Sequence, residues 1–417
     1  LLLDKFRKNL PRSETINQNS VNIWQEPLIT NGRNKTVIYS KEVDQSNFDI
    51  RAGTLNQLVM RLTDESKAHL VFLKTFIATY QSFTTPDLLF QKLVERYNVP
   101  RDQQYDISDE DWKTNIVLPI QFRVSNVIRK WLDQRFPDFD YKLMRKLNDF
   151  IDTHLRRDGH HLQVDSLAGS IKRQIEKQQE LSFGRKLTSG PTGTGISCEI
   201  LLTTPSMKLA KHITAIDSQV YRSIHAYELC DHLISKRCTN ITKMVDRFNI
   251  MSNWISFMIV TPETAADRAK VYSKFVEIGC CLRSLNNFSG LLSLTSGLKN
   301  TCIHRLIQTQ ELISQQIQDD FKVLTNLMSP DKSFKEYREA LHSASPPVVP
   351  YIGVYLGNLT FINDGNPNTI DGLINFRKCE LMYTRVIEEF LQYQQAPYEF
   401  ELDEQLSLKL SNIRSFT

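Results

Sequence analysis

The sequence has little of what covalent chemistry, membranes or extracellular life require. Its seven cysteines, at positions 198, 230, 238, 280, 281, 302 and 379, include no Cys-x-x-Cys pair, and their number is odd. That excludes a disulfide framework and reads as the reduced, mostly buried thiols of a cytosolic protein. No apolar run approaches the ~18 residues of a membrane span, and the most apolar short stretch, Trp254 to Val260, is far too brief. A formal net charge of +4 over 417 residues, with no dense basic block, does not fit a nucleic-acid partner. His-Glu-x-x-His and Gly-x-Ser-x-Gly are both absent. Neither His154, His160 and His161 nor His212, His225 and His232 have the i,i+4 spacing of a helical zinc site. Gly190-x4-Gly195 followed by Ser197 has the glycine and hydroxyl spacing of a phosphate-binding loop, but Ile196 stands where the lysine has to be. No cofactor and no metal is expected. What remains is a protein that acts by binding another macromolecule. The chain opens Leu1-Leu2-Leu3-Asp4 without methionine, so it reads as part of a longer one, with any targeting signal elsewhere.

What the sequence does have is helical periodicity. Residues 1–48 are polar, an extended lead-in with an anchoring contact expected through Trp24 or Phe6. From residue 49 to 158 the spacing predicts an all-helical module. Gly53-Thr54-Leu55-Asn56-Gln57 has the form of a capping box, with Leu55, Leu58, Val59 and Leu62 on one face. Thr85-Pro86-Asp87 is a second helix start, with a cap, a first-turn proline and an acid near the helix's positive end. Residues 159–196 are polar and read as a linker, with a short exposed helix near Ile171–Leu181 and a flexible Ser189–Gly195 stretch. Residues 197–417 form a second helical module: Leu209, Ile213, Ile216, Val220 and Ile224 share one face, and Val271, Phe275, Ile278, Leu282 and Leu285 another. The expected fold class is therefore all-α, in two helical modules.

The stretch from Pro346 to Pro367 stands apart. Tyr351, Tyr355, Leu359 and Ile362 recur at helical spacing, Gly365 suits a left-handed C-cap, and Pro367 cannot easily continue a helix. The same run is rich in β-branched and aromatic residues and carries two glycines, so propensity leaves it open between a buried strand and a helix. As a helix it pairs with a second pattern from about Thr369 to Gln394, giving an antiparallel hairpin with Asn363, Asp364, Gly365 and Asn366 at its tip. Asp364 beside a glycine reads, on its own, as a turn-former.

Several ordered motifs resemble the catalytic domain of Ras-family guanine nucleotide exchange factors. They are Leu285-Asn286-Asn287-Phe288-Ser289-Gly290, Pro346-Pro347-Val348-Val349-Pro350-Tyr351-Ile352-Gly353, Phe361-Ile362-Asn363-Asp364-Gly365-Asn366-Pro367, and Ile374-Asn375-Phe376-Arg377-Lys378. Arg51-Ala52-Gly53-Thr54-Leu55-Asn56-Gln57 and Phe76-Ile77-Ala78-Thr79-Tyr80 are similar to the accompanying Ras exchanger motif domain. The resemblance implies a Ras or Rap-like small GTPase as partner, preferred in its nucleotide-free form, with cytoplasmic action and any membrane recruitment supplied by regions outside this stretch. It implies that the hairpin is inserted beside the nucleotide, with Thr360 and Asp364 as its non-covalent wedge. It further implies GTPase contacts at Arg222, Asn286, Phe334, Tyr351, Asn358, Gly365 and Asn366, and at Gly279, which replaces a larger side chain that some members set against switch II. Some members carry Glu in place of Asp364 and a bulky aliphatic in place of Thr360, which bears on partner choice and rate. The competing expectation on the same fold is a scaffold or effector that binds a small GTPase without driving exchange.

Overall fold

A computed structural model describes residues 21–32, 34–40, 50–66, 69–101, 108–188, 195–234 and 238–413. Helices dominate, and the chain divides into two compact units that are not contiguous in sequence.

The first unit gathers Leu1–Gly190, Cys230–Lys236 and Leu359–Val386. Its helices begin where the local chemistry says they should. Thr54 caps α1 (Leu55–Leu62), its hydroxyl accepting from the Gln57 amide at 3.2 Å. After α2 (Leu70–Thr79), Thr85 caps α3 (Pro86–Tyr97) in the same way, with Pro86 in the first turn. With α4 (Leu118–Arg135) and α5 (Tyr141–Phe150) they enclose a core of Phe72, Phe76, Leu93, Tyr97, Val124, Trp131 and Leu147. The following helix, α6 (His161–Thr188), occupies most of the stretch read as a polar linker. Val164, Leu167 and Ile171 recur at helical spacing, and this stripe packs on the core. The phosphate-loop-like glycine Gly190 and residues Ser189–Thr194 lie outside the described residues, as does Phe6.

The lead-in is bound more widely than one anchor. The Trp24 indole donates to the Glu95 carbonyl at 2.8 Å, and the Arg96 guanidinium lies 4.4 Å from its ring. Ile23 and Val37 are both buried. Val37 opens a small antiparallel sheet within a fold that is otherwise mostly helical, as expected. Its order is β1 (Val37–Tyr39), β2 (Ile50–Gly53), β4 (Leu373–Ile374), β3 (Thr369–Ile370). Strands of two to four residues are too short to show a period-two pattern. Asp231 is held in this unit by a buried ion pair: Arg135, fully buried, donates to both Asp231 oxygens at 2.7 and 2.8 Å and pairs with Asp138 at 2.8 Å.

The second unit gathers Pro191–Leu229, Arg237–Asn358 and Ile387–Thr417. Its core helices are α7 (Ser206–Arg222), α8 (Thr239–Val260), α9 (Ala265–Ser284) and α10 (Phe288–Leu298), followed by α11 (Gln315–Leu327) and α12 (Asp331–Ser343). A Cβ added at Gly297 of α10 would lie 2.6 Å from the Ser252 carbonyl of α8, so only glycine allows that approach. Asn287 caps α10: its side-chain oxygen Oδ1 accepts from the Gly290 amide at 2.8 Å, while its side-chain Nδ2 donates to Thr214 and Asp217 on α7 at 3.1 and 2.9 Å. This buried polar node orients the turn that carries Asn286.

Candidate functional site

The stretch that propensity left open is both extended and helical. Val349 runs as an isolated parallel bridge beside Asn287, its amide donating to the Asn286 carbonyl and its carbonyl accepting from the Phe288 amide, both at 3.0 Å. The Tyr351 amide then donates to the Tyr337 hydroxyl at 2.9 Å. Helix α13 follows at once (Ile352–Gly365). It crosses the division of the chain, with Ile352–Asn358 in the second unit and Leu359–Gly365 in the first.

Two features of the expected hairpin are corrected. Gly365 is not in the left-handed region; it completes the last helical turn, and the cap is supplied by the Asn366 side chain, which donates to the Ile362 carbonyl at 2.8 Å. The return helix does not start near Thr369. Residues Thr369–Ile374 form the β3–β4 hairpin, whose turn residues Asp371 and Gly372 both have positive φ, 51° and 79°. Asp-Gly in that conformation is the favoured two-residue hairpin turn. The return arm begins at Phe376 with α14 (Phe376–Met382), capped by Asn375, and continues through a wide turn, Tyr383–Ile387, into α15 (Glu388–Gln392).

The part of the hairpin within the first unit is fixed from two sides. On its inner side, Ile374, Phe376 and Cys379 belong to the same core as the N-terminal helices, with the Phe376 ring 4.5 Å from Phe72 and 6.1 Å from Phe76. Toward the tip, the Lys378 ammonium donates to the Asn363 carbonyl at 2.8 Å and to the Asn368 side chain at 2.7 Å. The Asn375 side chain donates to the Pro367 carbonyl at 2.8 Å. Lys378 is only 6% exposed. Burial lowers its pKa, and the Asp364 charge opposes that shift. Thr360 is half-buried, whereas Asp364 and Gly365 are exposed, and nothing lies within 4 Å of where a Gly365 side chain would start. Phe361, to which sequence reasoning gave no role, is 80% exposed beside them.

Within the second unit, three of the expected contact residues come together. The rings of Phe334 and Tyr351 are 5.7 Å apart, with Phe248 6.0 Å from Tyr351. Asn358 accepts from Arg338 at 2.9 Å, and Arg338 also donates to the Ser333 carbonyl at 2.9 Å. That arginine thereby ties Asn358 to the turn Lys332–Phe334, whose three residues have φ between 49° and 61°. Non-glycine residues hold that conformation only where surrounding contacts enforce it. Asn286, also left-handed at φ 55°, donates to the Ser345 carbonyl at 3.0 Å. Arg222 is exposed and donates to the Gln394 carbonyl at 3.0 Å. Gly279 is a correction: it is buried, and a Cβ there would lie 2.8 Å from Leu324 and 3.1 Å from Leu294. It is a packing residue of α9, without a surface to present. Burial of Tyr337 and Tyr355, with Glu389 near both, pushes both hydroxyls well above the ordinary tyrosine range, so both stay protonated: Tyr337 accepts from the Tyr351 amide and Tyr355 donates to Glu389.

Among the described residues no three His, Cys, Asp or Glu side chains are grouped to hold a metal ion, and no helix is long and apolar enough to cross a membrane. The first unit thus carries an exposed helical tip with one carboxylate, Asp364, and the second unit a cluster of aromatic rings around Tyr351.

Comparison with known proteins bears directly on these elements. Residues 208–380 match the RasGEF domain, a span that includes α13, the tip and the start of α14, and residues 49–150 match the RasGEF N-terminal motif. Ras guanine nucleotide exchange factor A of Dictyostelium discoideum is 34% identical over 423 residues, covering 95% of this chain and 68% of that one. Ras guanine nucleotide exchange factor J of the same organism is 33% identical over 377 residues, covering 86% and 45%. Protein son of sevenless of Drosophila melanogaster is 28% identical over 437 residues, covering 95% and 27%. The chain belongs to the Ras guanine nucleotide exchange factor family. It spans less than half the length of exchange factor J and about a quarter of son of sevenless.

Proposed function

We propose that this chain is a guanine nucleotide exchange factor for a Ras or Rap-like small GTPase. Residues 49–158 would serve as the exchanger motif module, 159–196 as the connection, and 197–417 as the catalytic module. The observation that carries the reading is the exposed pair Asp364–Gly365 at the tip of a braced hairpin inside the RasGEF-matched segment.

The hairpin acts as a wedge at the nucleotide site of the GTPase. Asp364 competes with phosphate for the lysine and hydroxyl groups that hold it. Thr360, one turn earlier and so on the same face, crowds the magnesium position. Phe334, Tyr351 and Asn358 receive the switch regions, with Asn286, Arg222, Gly365 and Asn366 as further contacts. No bond is made or broken. Release is promoted because the exchanger binds the nucleotide-free GTPase more tightly than the loaded one, and by linkage nucleotide weakens the exchanger by the same factor.

Release of a fluorescent GDP analogue from a panel of Ras-family GTPases tests this. The expected result is acceleration for at least one member at micromolar exchanger, lost on Asp364→Ala. Stable complexes without acceleration for any member would instead mark the chain as an exchange-inactive scaffold.

A further inference from the structure

The geometry points to Lys378 as a positioning residue for the hairpin tip: from the return arm it locks the end of α13 and the Asn368 turn, so that Asp364 is presented in one orientation. This deepens the exchange reading above and rests on it. Lysine is almost never buried unless its charge is answered, yet Lys378 is 6% exposed and its two hydrogen-bond partners are neutral oxygens, the Asn363 carbonyl and the Asn368 side chain.

What such a lysine does is set by where it ends. The last turn of a helix leaves carbonyls with no intrahelical partner and carries a partial negative charge. At this end Asn366 takes the Ile362 carbonyl and Lys378 takes the next one, that of Asn363. The same ammonium holds Asn368 beyond the end, where Asn375 adds a bond from its amide to the Asn368 carbonyl at 3.0 Å and one from its side chain to the Pro367 carbonyl. Ile362, Asn363, Asn366, Pro367 and Asn368 are thus each held by a hydrogen bond, and the exposed pair Asp364–Gly365 lies between these clamped positions. Fixing the backbone on both sides of an exposed side chain removes ordering cost at the moment of binding. A methionine would fill the same volume without those bonds, so packing alone does not account for a lysine here.

The experiment uses the full chain and four variants: Lys378→Met, Lys378→Arg, Asn368→Ala and Asp364→Ala. Readouts are amide hydrogen exchange over residues 363–369, the maximal GDP-release rate at saturating exchanger, and the unfolding midpoint. Lys378→Met should speed tip hydrogen exchange and lower the maximal release rate, each by about tenfold, the loss expected for a charged hydrogen bond. Lys378→Arg should restore most of both. Asn368→Ala, at an exposed position, should give a smaller change of the same sign with an unchanged midpoint, and it stands in if Lys378→Met fails to fold. Wild-type protection of the tip in Lys378→Met and Asn368→Ala overturns the proposal. So does a lowered midpoint with an unchanged maximal rate, which marks a merely structural lysine. If the wild-type chain accelerates GDP release from no GTPase tested, the exchange reading fails, while the hydrogen-exchange measurement still decides whether Lys378 holds the tip.

Discussion

The two ends of the hairpin are built on opposite principles. At its root, in the second unit, Tyr355, Phe390 and Tyr221 are almost fully buried. The Tyr221 ring lies 4.6 Å from that of Phe390, its hydroxyl donates to the Phe390 carbonyl at 2.6 Å, and the Tyr355 hydroxyl donates to Glu389 at 3.0 Å. At its tip, Phe361, Asp364 and Gly365 face outward and order comes from hydrogen bonds to backbone carbonyls. Burial is non-directional and strong, and it suits an end that must stay attached. Hydrogen bonds are directional and individually modest, and they suit an end that must hold a geometry while leaving its apolar and charged groups free for a partner. Stability and function are thereby separated along one helix.

The sharpest test of that separation is at the root. Tyr355→Ala should cost about 3–5 kcal/mol of stability, as for other buried aromatics, read as a shift in the denaturant midpoint; a cost below ~1 kcal/mol would break the comparison. Next, deleting residues 1–160 strips Phe376 and Ile374 of Phe72 and Phe76. GDP release by the remaining chain should fall by at least about tenfold, since an unbraced arm must be ordered on binding. Equal activity of a 196–417 fragment would show that the brace is dispensable. At the tip, Asp364→Ala should lower the release rate by roughly tenfold, the worth of one charged contact, with the unfolding midpoint unchanged. Cooperative destabilisation instead would place Asp364 with the root residues.

The smallest effect lies away from both ends. Buried His212 bonds to Ser407 at 2.8 Å and accepts from the Asp403 amide at 3.4 Å, with Lys208 and the Asp403 carboxylate beside it. Burial lowers its pKa, so the folded state favours the neutral ring. Its contribution is present above the unfolded value of about 6.5 and is lost as pH falls through the lower folded value. Hydrogen-exchange protection of the helix Glu404–Ser411 should therefore weaken between pH 7.5 and 5 while that of the hairpin tip does not.

Legibility from sequence followed the range of the interactions. Thr54 with Gln57, and Thr85 with Pro86, are local signals, and both helix starts lie where they were expected. Family motifs named Phe334, Tyr351 and Asn358 as candidates; in the structure the Phe334 and Tyr351 rings are 5.7 Å apart, and Arg338 links Asn358 to the turn that carries Phe334. The β3–β4 hairpin had a readable turn signal in Asp371-Gly372, hidden because its two-residue strands sit inside a longer helical pattern. Gly279 and Lys378 were opaque for a different reason. Whether a glycine is surface or packing, and whether a lysine is solvated or buried, depends on which distant segment lies over it. Leu324 lies 45 positions from Gly279, and Phe72, in the core shared with Cys379, about 300 from Lys378.

The order of strands in the small sheet also has a consequence for synthesis. Gly53 of β2 pairs with Ile374 of β4, roughly 320 residues later. At ~5–20 residues per second, the ribosome delivers that partner some 15 to 65 seconds after β2 has emerged. During that interval Phe72, Phe76 and Phe83 have no Phe376 to cover them. The first unit thus begins folding before β4 and Phe376 have been made and is completed only once they emerge. A nascent chain of this protein should therefore hold chaperones on its first helices until the hairpin arrives.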